Sequence, residues 1–151
     1  MDIDTFLIKT AEHLATQRKQ CAINGLCRYA DNEGGHCAIG VHLSDDLCRE
    51  LDREGHAARF MRDAALWEPN ELTAKKLNEH RLGVQFMKDL GEDLPVDVIV
   101  GAQDTHDYYN SRGKAQREAM LRDLANIAKE HGAERAVEVI PTIECPDFPE
   151  K

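Results

Sequence analysis

Ile3, Phe6, Leu7, Ala11, Leu14 and Ala15 recur three and four positions apart, the interval that places side chains on one face of an α-helix. Asp2 or Asp4 can cap its start. Arg18 and Lys19 stand near its far end, where the helix dipole favours cations. The pattern then changes. Asn24-Gly25 signals a turn, Leu26 to Ala30 reads as a short strand, Asp31 to Gly35 supplies a second turn, and His36 to Leu43 reads as the returning strand. Ser44 followed by Asp45 and Asp46 has the composition of a helix N-terminus, with Leu47, Cys48 and Leu51 facing inward.

The rest of the chain is helical in pattern. Gly55 to Trp67 turns Phe60, Met61, Ala64 and Ala65 inward, and Pro69 stops it. Asn70 is the expected cap of a longer helix that carries Leu72, Leu77, Leu82, Phe86 and Leu90 and closes at Gly91. Val96, Val98, Ile99 and Val100 suit a strand by residue type. Pro95 ahead of them and Gln103 to Tyr109 behind favour a helix that begins at a proline. From Ala115 to His131, Leu121, Leu124, Ala125, Ala128 and His131 share a face, and Gly132 ends the run. The expectation is an α+β fold: one mainly helical globular domain over residues 1–140, with a small two-stranded β-hairpin from about Leu26 to Leu43 packed on the helices. Residues 141–151, where Pro141, Pro146 and Pro149 interleave with acids, are expected to form an extended or frayed tail available to a partner.

Composition narrows the class. A chain of 151 residues with 42% hydrophobic content can bury a core without covalent staples, and only 5% aromatic content makes that core aliphatic. The five cysteines, Cys21, Cys27, Cys37, Cys48 and Cys145, are odd in number and irregular in spacing, and the charged first helix does not read as a secretory leader. A reducing, cytoplasmic setting is therefore expected, and no apolar run is long enough for a bilayer. With 19 Lys and Arg against 28 Asp and Glu, the formal charge of -9 opposes direct contact with nucleic-acid phosphates. Acids run through Asp45, Asp46, Glu50, Asp52 and Glu54, and again through Asp89, Glu92, Asp93 and Asp97. Such runs are commonly solvated faces. Brought together in space, they would steer a partner with a basic surface, including a nucleic-acid-binding protein whose groove they would occupy.

The window from Cys27 to Gly40 gathers two cysteines, a histidine and three glycines and admits three readings. A zinc site would take Cys27 and Cys37 with His106 or His131, but no Cys-x-x-Cys knuckle is present, and His36 and Cys37 would point to opposite faces of a strand. A thiol nucleophile would be Cys37, with His106 as base and Asp107, Asp104 or Asn110 as its orienter. The third and favoured reading is a compact turn in which Cys27 and Cys37 pack as small buried residues. His80, the dipeptide His106-Asp107 and Asp123 echo the ligand order of helical metal-dependent phosphohydrolases, though a single His-Asp pair is common. Gly34-Gly35 and Gly40 form no phosphate-binding loop.

In order, Cys27-x-Tyr29, a Gly-rich turn, Cys37-Ala38-Ile39-Gly40, Gln103-x-x-His106-Asp107 and Ile127-Ala128-x-x-His131-Gly132 resemble small uncharacterised proteins found in bacteriophage genomes and prophages. The resemblance covers most of the chain from the first helix to Gly132. It departs at Val41-His42-Leu43, where relatives tend to carry another cysteine and a proline, and it matches poorly from Glu68 to Val100. It implies an origin and no particular reaction or cofactor. The first expectation is thus an accessory protein that binds and inhibits or modulates a host protein, such as a defence or nucleic-acid-processing factor, as a monomer or homodimer in the host cytoplasm. A thiol-dependent hydrolase or transferase using Cys37 and His106 comes second, and a zinc-stabilised interaction domain is a variant of the first.

Overall fold

In the computed structural model, which describes residues 1–17, 22–23, 26–31, 35–109 and 113–147, seven helices carry the fold. They are α1 (Ile3–Thr16), α2 (Asp45–Glu54), α3 (Ala58–Ala65), α4 (Ala74–Leu90), α5 (Val96–Tyr108), α6 (Lys114–Glu130) and α7 (Glu134–Val139). Local signals set most of their ends. Asp2 accepts a hydrogen bond from the Thr5 amide at 2.7 Å, Ser44 accepts one from Leu47 at 3.2 Å, and Pro95 opens α5. Gly55, Gly91 and Gly132 follow α2, α4 and α6 with positive φ, the conformation that glycine adopts without strain. The ambiguous Val96 to Val100 stretch is helical.

Two boundaries differ. The helix expected from Gly55 to Trp67 runs from Ala58 to Ala65, and Gly55 closes α2 instead. Pro69–Glu71 form a separate 3-10 turn, and α4 begins later, where Thr73 accepts from the Lys76 amide at 3.3 Å. Leu72 therefore precedes the helix, and Leu77 lies on its exposed side. Arg18, Lys19, the Asn24-Gly25 turn and most of the turn after Asp31 lie outside the described residues.

The expected α+β class is corrected to an all-helical fold. Leu26–Cys27 does not pair with His36–Leu43; its short antiparallel ladder is with Ala22–Ile23, two residues on each side. Beyond it, among the described residues, the strand-type pairing is the single bridge Ala30–His36, and it sets Tyr29, not Cys27, opposite Cys37. After Cys37 the backbone coils. Val41 donates to the Cys37 carbonyl at 3.2 Å, His42 to Ile39 at 3.0 Å and Leu43 to Gly40 at 3.1 Å, closing a 3-10 turn over Gly40–His42. The reason is visible in the burial. Cys37, Ala38, Ile39 and Gly40 are buried consecutively, which a strand with one wet face does not allow.

α1 and α6 lie side by side, and α3 crosses α4. A buried cation ties the first pair: Arg117 of α6, 1% exposed, donates to the Ala15 carbonyl and to the Pro146 carbonyl, both at 2.6 Å. The first bond supplies a donor to the carbonyl end of α1. The second holds residues 141–147 against α6, with Cys145 buried beside it. At the other crossing, Gly83 of α4 meets α3 so closely that a Cβ would stand 2.6 Å from the Met61 carbonyl oxygen and 2.7 Å from the Ala65 nitrogen. Among the described residues no helix is long and apolar enough to cross a membrane.

Two predictions follow from this packing. Gly83→Ala gains about 1 kcal/mol of helix propensity but overpacks the crossing at a cost of about 3 kcal/mol. Its urea midpoint should fall, and a midpoint at or above wild type would show that α3 and α4 are not this close. The second concerns acid. His42 is stacked on Phe6 and donates from Nε2 to Thr10 Oγ1 at 2.7 Å, because the Thr10 hydroxyl hydrogen is engaged by the Phe6 carbonyl. Burial pushes its pKa from the ordinary 6.5 to about 3, and burial lowers that of His13 too. The unfolded chain therefore takes up protons first as pH falls. The stability from neutral His42 is complete above pH 6.5 and declines by about 1.4 kcal/mol per unit below it. Between pH 7 and 5, urea unfolding of His42→Gln should lose about 2 kcal/mol less than wild type. Equal losses would contradict the assignment.

Candidate functional site

α2 carries the five acids expected to meet a partner. Leu47, Cys48 and Leu51 face the core, which turns Asp45, Asp46 and Glu54 outward. Asp46 pairs with Arg49, Asp45 lies 3.3 Å from His36 Nε2, and Glu50 accepts from Arg81 Nη2 at 2.9 Å. Asp52 has a different place. Its two carboxylate oxygens accept the Tyr29 and Ala30 amides at 2.8 and 3.2 Å, so it straps the preceding segment to the end of α2. Spacing gave no signal for this. The only hint was an aspartate in the last turn of a helix, where the dipole disfavours it unless donors compensate.

The second acidic run reaches the first. Asp89, near the end of α4, accepts the Ser44 amide at 3.2 Å and the Gln85 side-chain amide at 2.8 Å. The start of α2 and the end of α4 therefore share one edge that carries Asp45, Asp46 and Asp89. Glu92 and Asp93 continue exposed past Gly91, and Asp97 is exposed in the first turn of α5.

Cys37 is 2% exposed, and its Sγ accepts the Gly40 amide at 3.1 Å. On the other side of the same glycine, Cys48 donates from Sγ to the Gly40 carbonyl at 3.5 Å, and burial pushes its thiol up to about 12. Tyr29 donates to the His56 carbonyl at 2.7 Å and is held protonated by burial. His106 is fully buried in α5. Its Nδ1 donates to Asp107 Oδ1 at 2.8 Å, and the same oxygen accepts from Gln103 Nε2 at 2.8 Å. Cys37, Gln103 and Asp107 thus come together on one cavity, but His106 is not among its lining residues. For the zinc reading, the Cys27 side chain lies outside the described residues, and His131 caps the far end of α6. Among the described residues no three His, Cys, Asp or Glu side chains converge as metal ligands. His80 donates to the Ala64 carbonyl at 2.8 Å, and Asp123 accepts from the Tyr109 hydroxyl at 2.8 Å, so both have structural work elsewhere. Comparison with protein-family models, with curated proteins and with solved structures finds no match for this chain.

The two kinds of aspartate on α2 separate by mutation. Asp52→Ala strands two backbone amides and should lower unfolding free energy by about 1–3 kcal/mol. Asp45→Ala, at an exposed position, should stay within about 0.5 kcal/mol of wild type. Equal effects in urea denaturation would remove Asp52 from its structural role.

Proposed function

We propose that the protein is a phage-type accessory protein that docks the basic surface of a host protein on the acidic edge shared by α2 and α4, and so inhibits or modulates it. The observation that carries this reading is the Ser44 amide to Asp89 bond, which joins two acidic runs far apart in sequence. An edge on which acids gather raises encounter rates and selects partners of opposite charge. The arginines on α2 and α4 do not cancel it. The Asp46–Arg49 and Glu50–Arg81 pairs are solvent-facing, and exposed pairs of this kind contribute only about 0–1 kcal/mol, so a partner's cations can replace them. The formal charge of -9 also makes a protein a better partner than a nucleic acid. The setting that fits is the cytoplasm of the host cell. Thiol catalysis is the weaker reading, because Cys37 is nearly inaccessible and its cavity is not lined by His106.

The test uses the wild-type protein and the double variant Asp45→Lys, Asp46→Lys, each given to host lysate and then to the purified captured protein. Calorimetry should show the variant binding at least about tenfold more weakly. The wild-type affinity should fall as salt shortens the screening length. A partner that binds both proteins equally, or one indifferent to salt, rejects the acidic edge as the docking surface.

A further inference from the structure

A cavity of about 270 Å³ opens between the end of α2, the turn that follows it, α5 and the segment carrying Arg28 and Cys37. Leu51, Ala57 and Ala58 give it an apolar floor, while Arg28, His56 and Gln103 give it polar walls from three separate parts of the chain. In each of these three side chains one part is anchored. Arg28 Nη1 donates to the Asp52 carbonyl at 2.8 Å, Gln103 Nε2 donates to Asp107, and the His56 ring stacks on Phe60 with centroids 4.7 Å apart. Another part is not. Arg28 Nε, His56 Nε2 and Gln103 Oε1 are buried and have no hydrogen-bond partner among the described residues. Buried polar atoms in folded proteins are nearly always bonded, so three unbonded ones on residues that line one cavity point to a ligand's functional groups, toward which the covered atoms turn on binding. The terminal torsions of His and Gln are soft, so the His56 ring can turn within its stack and the Gln103 amide can exchange its bond to Asp107 for one to a ligand, which presents both to the lumen.

The chemistry of the three atoms limits what fits. Arg28 Nε carries a hydrogen and only donates; Gln103 Oε1 only accepts; a neutral His56 Nε2 does either, according to tautomer. A group that offers an acceptor and a donor side by side is an amide. Charge points the same way. An anion would face the Asp52 and Asp107 carboxylates, and a cation would face Arg28 with both carboxylates already accepting hydrogen bonds. Size sets a ceiling, since 270 Å³ falls just under the roughly 300–1,000 Å³ of sites for drug-sized molecules, which leaves room for about one ring. We propose that this cavity binds a small neutral molecule by an amide edge, its carbonyl toward Arg28 and its N–H toward Gln103, with its body on Leu51, Ala57 and Ala58. A nucleobase lactam and a carboxamide share that edge.

Isothermal titration and saturation-transfer NMR on the full chain, with uracil, benzamide and N,N-dimethylbenzamide as separate probes, test the assignment. Uracil or benzamide should bind saturably, and which one does so tells lactam from carboxamide. Gln103→Leu should weaken that binding at least about tenfold. If this variant loses its fold by circular dichroism, the comparison of benzamide with its dimethyl analogue on wild type decides, because the analogue keeps the ring and carbonyl but has no N–H. Failure of both uracil and benzamide to bind at about 10 mM, weaker than the approximately 1 mM of a minimal ligand, overturns the proposal. So does undiminished binding to a folded Gln103→Leu, or equal binding of the dimethyl analogue.

Discussion

The close approach of Gly40 to the Tyr29 carbonyl is the constraint on which the non-helical part of the molecule depends. Any Cβ at position 40 would overlap the Tyr29 carbonyl oxygen, so the 3-10 turn can press against that segment only because residue 40 is glycine. The contact is reinforced on every side. The Cys37 amide donates to the Tyr29 carbonyl at 3.2 Å, Asp52 holds the Tyr29 and Ala30 amides, and the Tyr29 hydroxyl reaches His56. His42, two residues beyond, fastens the turn to α1 through Thr10. One irregular segment is thereby stapled to α1, to α2 and to the turn after α2, and its inner side becomes a wall of the cavity.

This explains which parts of the fold were legible in the sequence. Helix starts at Asp2, Ser44 and Pro95, and stops at Gly91 and Gly132, are written in residues that act within one turn of where they stand, whereas Gly55, read as the start of a helix, closes the one before it. The coil of Cys37 to His42 is not local in this sense. An apolar run of that length suits a buried strand or a buried turn equally. The choice is made by the Tyr29 carbonyl and by α1, both distant in sequence. Asn70 lost to Thr73 for a related reason, because both are good caps and Pro69 takes Asn70 into its own turn. Arg117 was unreadable as a core residue because its partners among the described residues include backbone carbonyls of α1 and of Pro146, which no side-chain pattern announces.

At the candidate site the same division holds. The outward direction of Asp45, Asp46 and Glu54 follows from the inward period of Leu47, Cys48 and Leu51, so it could be read in advance. The meeting of the two acidic runs could not, since it rests on one bond from Ser44 to Asp89 across two helices. The Cys37 motif and the Gln103 to Asp107 motif were each visible as unusual strings. Only the packing of α5 beside the stapled segment puts them on a common cavity and leaves His106 off it.

The acidic composition itself divides into two populations. Asp2 accepts the Thr5 amide, Asp4 the Ala136 amide at 2.8 Å, Asp31 the Gly35 amide at 2.7 Å, Asp52 those of Tyr29 and Ala30, and Asp89 that of Ser44. These aspartates serve the backbone. Each satisfies an amide at a helix start, in a turn or in the short extended segment at Tyr29 and Ala30, where no backbone ladder supplies the acceptor. A chain built almost wholly of helices, with short irregular connections, creates many such amides and needs short acceptors beside them, and aspartate is the shortest charged one. Net charge therefore overstates the number of carboxylates open to direct contact with a partner. The acids left to act outward are those whose carboxylates bind no amide, and on the shared edge of α2 and α4 these are Asp45 and Asp46, with Asp89 turned half inward to hold the edge together.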